Sequence, residues 1–188
     1  LKKVSIIGTH GVPAKYGGFE TLAENLAENL KSDFKFIIFC NSYKYNSQEK
    51  KCKYDYRRIF IPFNASGWQS YLFDFFSFFY SLFITDVIIY LGPTSGYLTF
   101  FNLLFRKNII TNYGGLNEWE RPRYNKFEKL LFKINIYFAS KFSTTNVVDN
   151  LVLQKSLSDV FNANSVVIRY GGDHVLHKKS DTIDKKFL

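Results

Sequence analysis

The chain has 188 residues, 46% hydrophobic and 22% charged, enough for one domain with a sizeable core and too apolar for a disordered segment. Aromatic residues reach 19%, with 21 Phe and 13 Tyr, so either the core is deep or some surface meets an apolar partner. The formal charge of +9 favours acidic partners such as nucleotide phosphates, anionic lipid or nucleic acid; Cys40 and Cys52 lack metal spacing and form no disulfide framework, which fits a reducing, cytoplasmic setting.

The first residues, 4–7, form a buried-strand pattern, Val-Ser-Ile-Ile. They run into Gly8-Thr9-His10-Gly11-Val12-Pro13-Ala14-Lys15-Tyr16-Gly17-Gly18-Phe19-Glu20-Thr21, a strand-to-helix crossing with four glycines. Backbone of this kind lets a ligand come close, and free N–H groups at a helix N-terminus attract anions. The predicted helix spans 19–30, with Leu22, Leu26 and Leu30 on one face and Glu20, Glu24 and Glu28 on another. A strand at 36–40 and a polar, lysine-rich loop at 41–55 follow, then a short strand at 58–62. Residues 68–84 read as helix, 87–91 as strand closed by Gly92-Pro93, 97–105 as helix and 108–112 as strand. A helix is predicted over 122–139, with Pro122 near its first turn, where proline is tolerated. Strand 143–148, helix 150–157 and strand 165–169 complete the series, and the tail from about His177 is polar and lysine-rich. The β–α alternation predicts an α/β fold, a Rossmann-like parallel sheet with helices on both faces.

Three loops follow strands and so fall on one edge of that sheet. The glycine loop is the first. Its spacing is not the dinucleotide fingerprint, and the second strand ends at Cys40-Asn41 without an acidic residue to hold a ribose, which disfavours a nicotinamide or flavin cofactor. The second loop, Asn112 to Arg121, combines Gly114 and Gly115 with Glu118, Trp119, Glu120 and Arg121. An indole stacks on sugar faces and carboxylates accept from hydroxyls; equally, the acids suit a solvated helix start and Trp119 suits a core. The third, Tyr170-Gly171-Gly172-Asp173, is a turn signal.

Two helices bear on membrane contact. In 68–84, Ser70, Asp74, Ser77 and Ser81 form one narrow polar stripe amid apolar residues, so the helix is either deeply buried or partly in lipid. It is no transmembrane span, since residues 71–84 would reach only about 21 Å against roughly 30 Å of hydrocarbon. In 122–139, Lys126, Lys129 and Lys133 share one face and Phe127, Leu130, Leu131, Ile134 and Phe138 another, which fits an anionic membrane surface or an ordinary outer helix. His10, His174 and His177 lack zinc spacing, no nucleophile elbow is present, and the aromatics do not alternate with basic residues as nucleic-acid readout would need.

Taken together, these residues make the chain resemble the N-terminal half of a GT-B glycosyltransferase. It is most similar to the rhamnosyltransferase-like retaining branch that builds bacterial polysaccharides. That branch opens with a strand and Gly-(Thr/Ser)-Arg-Gly-(Ile/Val)-Pro-Ala-x-Tyr-Gly-Gly-Phe-Glu-Thr. Residues 8–21 match nearly throughout, with His10 in place of the arginine. The resemblance implies that Gly11, Lys15, Tyr16, Gly17, Gly18 and Glu20 lie over the donor diphosphate and the acceptor cleft. Gly115, Glu118, Trp119 and Arg121 correspond to an Asp-Gly-x-Glu-Trp-Lys-Arg segment, with Gly114 where an aspartate is common and one extra residue before Glu118. Gly171, Gly172 and Asp173 resemble the hinge that ends the first domain.

The implied organisation is a Rossmann-like N-terminal domain over 1–176, one half of a GT-B fold, with 177–188 as linker or tail toward a C-terminal donor-binding domain or subunit. The implied activity is metal-independent transfer from a nucleotide sugar, dTDP-rhamnose first among the candidates, to a lipid-linked saccharide acceptor at the inner face of the cell membrane. The catalytic residue is unknown, no cofactor or metal is expected, nucleic acid is not a partner, and the chain by itself is expected to transfer little or no sugar. It contains no methionine, so it is either an unusual start or a piece of a longer protein. The alternatives are a non-catalytic membrane-docking or scaffold domain of the same fold, and a nucleotide-dependent oxidoreductase.

Overall fold

The computed structural model describes residues 1–15, 17–114, 122 and 124–171. Seven strands form one sheet in the order β3-β2-β1-β4-β5-β6-β7, with every neighbouring pair parallel. They are β1 (Lys2–Ile7), β2 (Phe34–Asn41), β3 (Arg57–Ile61), β4 (Val87–Leu91), β5 (Asn108–Tyr113), β6 (Thr145–Val148) and β7 (Val166–Val167). The helices are α1 (Gly18–Asn29), α2 (Ser47–Lys51), α3 (Gln69–Ile84), α4 (Asn102–Phe105), α5 (Lys126–Phe142) and α6 (Leu151–Phe161), with 3-10 turns at Ser42–Lys44 and Gly96–Phe101. This is the doubly wound α/β arrangement. Its switch point falls between β1 and β4, where the loops leaving the two strands diverge and open a crevice at the carboxyl edge.

Alternation along the central strands fills two cores. Val4 and Ile6 of β1 pack with Ala23 and Ala27 of α1, whereas Ile7 packs with Phe73, Phe78 and Leu82 of α3. A third cluster joins Tyr113 and Val148 to Ile136, Ala139, Leu157 and Phe161 of α5 and α6. Strands buried on both faces read as nearly continuous apolar runs, as β1, β2 and β4 do.

The polar stripe of α3 faces inward. Ser70, Asp74, Ser77 and Ser81 are buried, while Tyr71, Phe75, Phe76, Tyr80 and Phe83 are exposed. The serines are satisfied by their own helix: Ser77 donates to Phe73 O at 2.8 Å, Ser81 to Ser77 O at 2.7 Å, and Thr85 to Ser81 O at 2.8 Å. Small, internally bonded side chains let the helix approach the sheet closely without leaving polar atoms stranded. Burial pushes the Asp74 carboxyl up to about 7, against the opposing pull of polar neighbours, among them the Tyr90 hydroxyl that donates to it at 3.1 Å.

Several predicted boundaries move. The segment 41–55 is not all loop: Asn46 and Glu49 form a capping box that starts α2. A second capping box, Asn125 with Glu128, starts α5 at Lys126, so Pro122 is not in its first turn, and the helix runs on to Phe142. The single helix predicted over 97–105 is a 3-10 turn leading into α4, with Thr99 Oγ1 donating to Gly96 O at 2.7 Å. The last helix extends to Phe161 and stops where Asn162 turns left-handed, φ 48°. The last strand shrinks to two residues. On α5, the apolar face is in part outward: Phe127, Leu130 and Ile134 are exposed, and the buried side carries Asn135, Ile136, Ala139 and Ser140. None of the described helices is long and apolar enough to cross a membrane. The predicted tail, 177–188, lies outside the described residues.

Candidate functional site

The glycine loop leaves β1 at the switch point and is locked over its first half. Gly8 and Gly11 take positive φ, 84° and 107°, a region open to glycine at little cost. Both are also pressed against neighbours: a Cβ on Gly8 would sit 2.1 Å from Leu91 O, and one on Gly11 would sit 2.6 Å from Cys40 Cβ. Gly11 is therefore a packing glycine, buried against β2. Its N–H donates to Thr9 Oγ1 at 3.0 Å rather than outward.

The loop amides are largely taken by carboxylates of α1. His10 N–H donates to Glu20 Oε1 at 3.0 Å and Ala14 N–H to Glu24 Oε2 at 3.2 Å. Glu20 is thereby turned inward and buried. With Gly11 and Ala14 N–H both engaged, the first half of the loop offers fewer free amides than its glycines suggest. Carbonyls on the same loop are held from the other side, Val12 O by Arg58 Nη1 at 3.2 Å and Pro13 O by the Tyr45 hydroxyl at 3.2 Å. The Lys15 ammonium pairs with Glu49, donates to Lys44 O at 3.2 Å and lies 4.9 Å from the Tyr45 ring centre, so it points at the β2–β3 connection. Burial lowers the His10 imidazole below its usual range, with Lys44 adding to the effect and Glu20 opposing it.

The second half of the loop is open. Gly17 and Gly18 are exposed; Gly17 is extended, φ −163°. A Cβ on Gly18 would meet nothing nearer than the Tyr170 hydroxyl at 3.8 Å, and one on Gly17 nothing nearer than Glu20 Oε2 at 3.4 Å. Among the described residues, neither backbone strain nor packing demands glycine at these two positions. No side chain caps the α1 N-terminus that they begin, so its first-turn N–H groups, which have no intrahelical partner, face outward. A pocket of about 260 Å³ lies there, lined by Gly8, Thr9, Gly17, Gly18, Phe19 and Ala65 among others.

Phe19 is the wall between this pocket and the next. Its ring lies across the loops that follow β4 and β5: a Cβ on Gly92 would stand 2.9 Å from Phe19 Cε2, and one on Gly114 2.5 Å from Phe19 Cζ. Gly114 and Gly92 thus leave room for the Phe19 ring. Beyond Phe19, a pocket of about 220 Å³ is bounded by Pro93, Thr94, Tyr113 and Phe132. Thr94 and Phe132 also border a third, of about 420 Å³, that reaches Trp68 and Tyr71 at the start of α3. Three pockets with shared walls therefore line the carboxyl edge, the place where α/β sheets of this order bind ligands.

Two further residues lie on this edge: Asp149, which carries no signal in the sequence pattern, and Tyr170, which opens the third loop. Asp149, just past β6, has a buried Oδ1 without a partner among the described residues, and burial raises its carboxyl. Tyr170 follows β7 close to α1; its hydroxyl is raised by burial and then by the charges of Asp149 and Glu20. Gly171 lies next to it, while Tyr16, Glu118, Trp119, Arg121, Gly172 and Asp173 lie outside the described residues. No trio of His, Cys, Asp or Glu is placed to hold a metal ion among the described residues.

A family model described as "Domain of unknown function (DUF1972)" matches residues 1–173. No curated protein matches the chain. Among solved structures it is similar to Glycyrrhiza uralensis UGT73P12 complexed with glycyrrhetinic acid 3-O-monoglucuronide, at 8% identity and a TM-score of 0.48, covering 89% of this chain and 48% of that one. The chain thus spans about half the length of that structure.

Proposed function

We propose that this chain, which belongs to the DUF1972 family, is the acceptor-side domain of a glycosyltransferase. The observation that carries this is the exposed pair Gly17-Gly18 at the start of α1, on the carboxyl edge at the switch point, where nothing among the described residues caps the helix or requires glycine. Two missing side chains there let a diphosphate come against main-chain N–H groups, and the helix dipole favours the negative charge that grows on it as the glycosidic bond breaks. Lys15 is held by Glu49, so this charge falls mainly to the amides. The acceptor sugar sits beyond Phe19, against Tyr113 and Phe132. By the resemblance of their motifs, Glu118, Trp119 and Arg121 bind substrate, and Gly171, Gly172 and Asp173 act as the hinge toward a donor-binding domain or subunit.

The finer reading follows the motif at residues 8–21. It is a retaining, metal-independent transfer of a hexosyl unit, rhamnose first among the candidates, from a nucleotide sugar to a lipid-linked saccharide in bacterial polysaccharide synthesis. The test is transfer of radiolabelled sugar from dTDP-rhamnose to a membrane lipid extract, with the whole protein encoded by the reading frame and with the 188-residue chain alone. Label in the lipid fraction with the whole protein, and little or none with the chain, is expected. Binding of the nucleotide sugar without transfer, by the whole protein, would overturn the reading in favour of a non-catalytic module.

A further inference from the structure

The outer surface of α3 is apolar along its length and continues without a break onto the neighbouring elements. Phe63 stacks on Phe76 at 5.4 Å between ring centres, Phe75 meets both Phe76 and Phe79, and Phe79 meets Phe101 at 5.0 Å. Phe101 touches Phe100, which touches Phe138 and Phe142 of α5. Phe63 and Phe79 lean on the core, but Phe75, Phe76, Phe100 and Phe101 are exposed, and beside them Phe83 is 70% exposed, Leu103 61% and Leu104 79%. Between β3 and α3 the surface sinks into a groove of about 630 Å³ lined by Ile59, Ile61, Phe63, Phe76, Phe79 and Phe83, without a charged group. A monomer rarely leaves so large an apolar patch open to water.

Two features say what covers it. Its border carries Trp68, Tyr71, Tyr80, Tyr97 and Tyr137, all exposed and each with one apolar body and one polar tip. Such residues collect where hydrocarbon meets water. Its lower end lies beside the amino edge of the sheet, where Lys2, Lys3, Lys35 and Arg57 begin the strands and Arg106 caps α4 directly after Leu103, Leu104 and Phe105. Glu28, Asp33, Asp55 and Asp86 are acids at that edge; Asp55 pairs with Lys31, Asp86 accepts the Lys3 N–H and Asp33 accepts from Ser32. The edge is basic on balance, as is the whole chain at +9. A second copy of the chain would bring like charges together, whereas anionic head groups would neutralise them.

We propose that the outer face of α3, with α4 and the exposed side of α5, docks on an anionic phospholipid bilayer, with hydrocarbon entering the groove between β3 and α3. The cleft opens at the carboxyl edge and the docking face covers the helix layer. Among the described residues the two meet at Trp68 and Tyr71, so docking stands whether or not sugar transfer does. A lipid-linked molecule held in the bilayer would present its head group at that end, toward the cleft.

The experiment is co-sedimentation of the purified protein with vesicles of phosphatidylcholine alone and of phosphatidylcholine with phosphatidylglycerol. The wild type is compared with the Phe83→Ser/Leu104→Ser double variant and with Arg106→Glu, each checked for an unchanged far-ultraviolet spectrum and thermal midpoint. All three side chains are exposed, so folding is expected to survive. Wild type is expected to bind the anionic vesicles, more weakly at high salt. The double variant is expected to lose about tenfold or more of that affinity, and Arg106→Glu to bind anionic but not neutral vesicles less well than wild type. Equal binding by wild type and the double variant, absence of binding to anionic vesicles, or a wild-type dimer that the double variant dissolves into monomers would each overturn the proposal.

Discussion

Glu20 Oε1 accepts the main-chain N–H of His10 at 3.0 Å, from the first turn of the helix into which the same loop runs. The acid and the loop close on each other, so the position of α1 and the shape of the glycine loop are set together. Truncating Glu20 strands a buried N–H and removes a charge-assisted bond. Glu20→Ala is expected to lower the unfolding free energy by about 1.5–3 kcal/mol in a urea titration, with no change in slope. A loss well below that would mean that water serves the His10 amide as well as the carboxylate does.

Gly11 and Gly17 should respond to the same substitution in opposite ways. Gly11→Ala forces a side chain into a left-handed position and against Cys40. It should cost about 1–3 kcal/mol of stability. Gly17→Ala meets only the Glu20 carboxylate at ordinary contact distance and should leave the thermal midpoint nearly unchanged. Equal destabilisation of the two would remove the distinction between the closed and the open half of the loop.

The fold was legible because strand and helix periods are strong signals in a doubly wound sheet: β1, β2, β4 and β5 were expected within two residues of where they lie. Short elements were hidden by composition. The Asn46-to-Glu49 capping box sits in a lysine-rich stretch that reads as loop, and α5 starts at its own Asn125–Glu128 box rather than at Pro122. The stripe on α3 was visible, but its direction was not. A pattern shows that serines align, while only the hydrogen bonds to their own helix show why they can face the sheet. At the site, Gly17 and Gly18 were legible as glycines before a helix. The packing duty of Gly11 depends on Cys40, a partner 29 positions along the chain on another strand. The inward turn of Glu20 was not legible, because the His10 amide that it binds lies ten residues upstream in a loop, not on a helical face. Asp149 carried no signal, and Tyr170 read only as the start of a turn; its place beside Gly18 emerges from the fold.

Asp74 gives a pH dependence with a definite sign. Its folded carboxyl titrates near 7, raised by burial from an ordinary 3.8. Between these values the folded state holds a proton that the unfolded state has released, so stability falls as pH rises from about 4 to about 7 and then levels off. The expected slope is about 1.4 kcal/mol per pH unit within that window. Asp74→Asn keeps an acceptor for the Tyr90 hydroxyl and cannot titrate. The difference between wild-type and variant unfolding free energies, measured at several pH values, should shrink or reverse across that window; a difference independent of pH would contradict the buried neutral acid.

The two thiols should separate cleanly. Cys40 is buried and its thiol is pushed up to about 11 by burial, whereas Cys52 is exposed. Native protein mixed with a maleimide at neutral pH should take one label, on Cys52, and take the second only in denaturant. Rapid labelling of Cys40 in the native state would mean that the loop packed over it opens readily.

The central claim is that the open half of the loop, at Gly17-Gly18, receives the diphosphate of a sugar donor. Gly17→Val in the whole protein tests it most directly, because extended backbone accommodates valine and the added methyl groups project into the space the ligand needs. Sugar transfer to the lipid acceptor should fall by about a hundredfold while the thermal midpoint stays where it is. Turnover equal to wild type, in a protein that folds normally, would contradict the account.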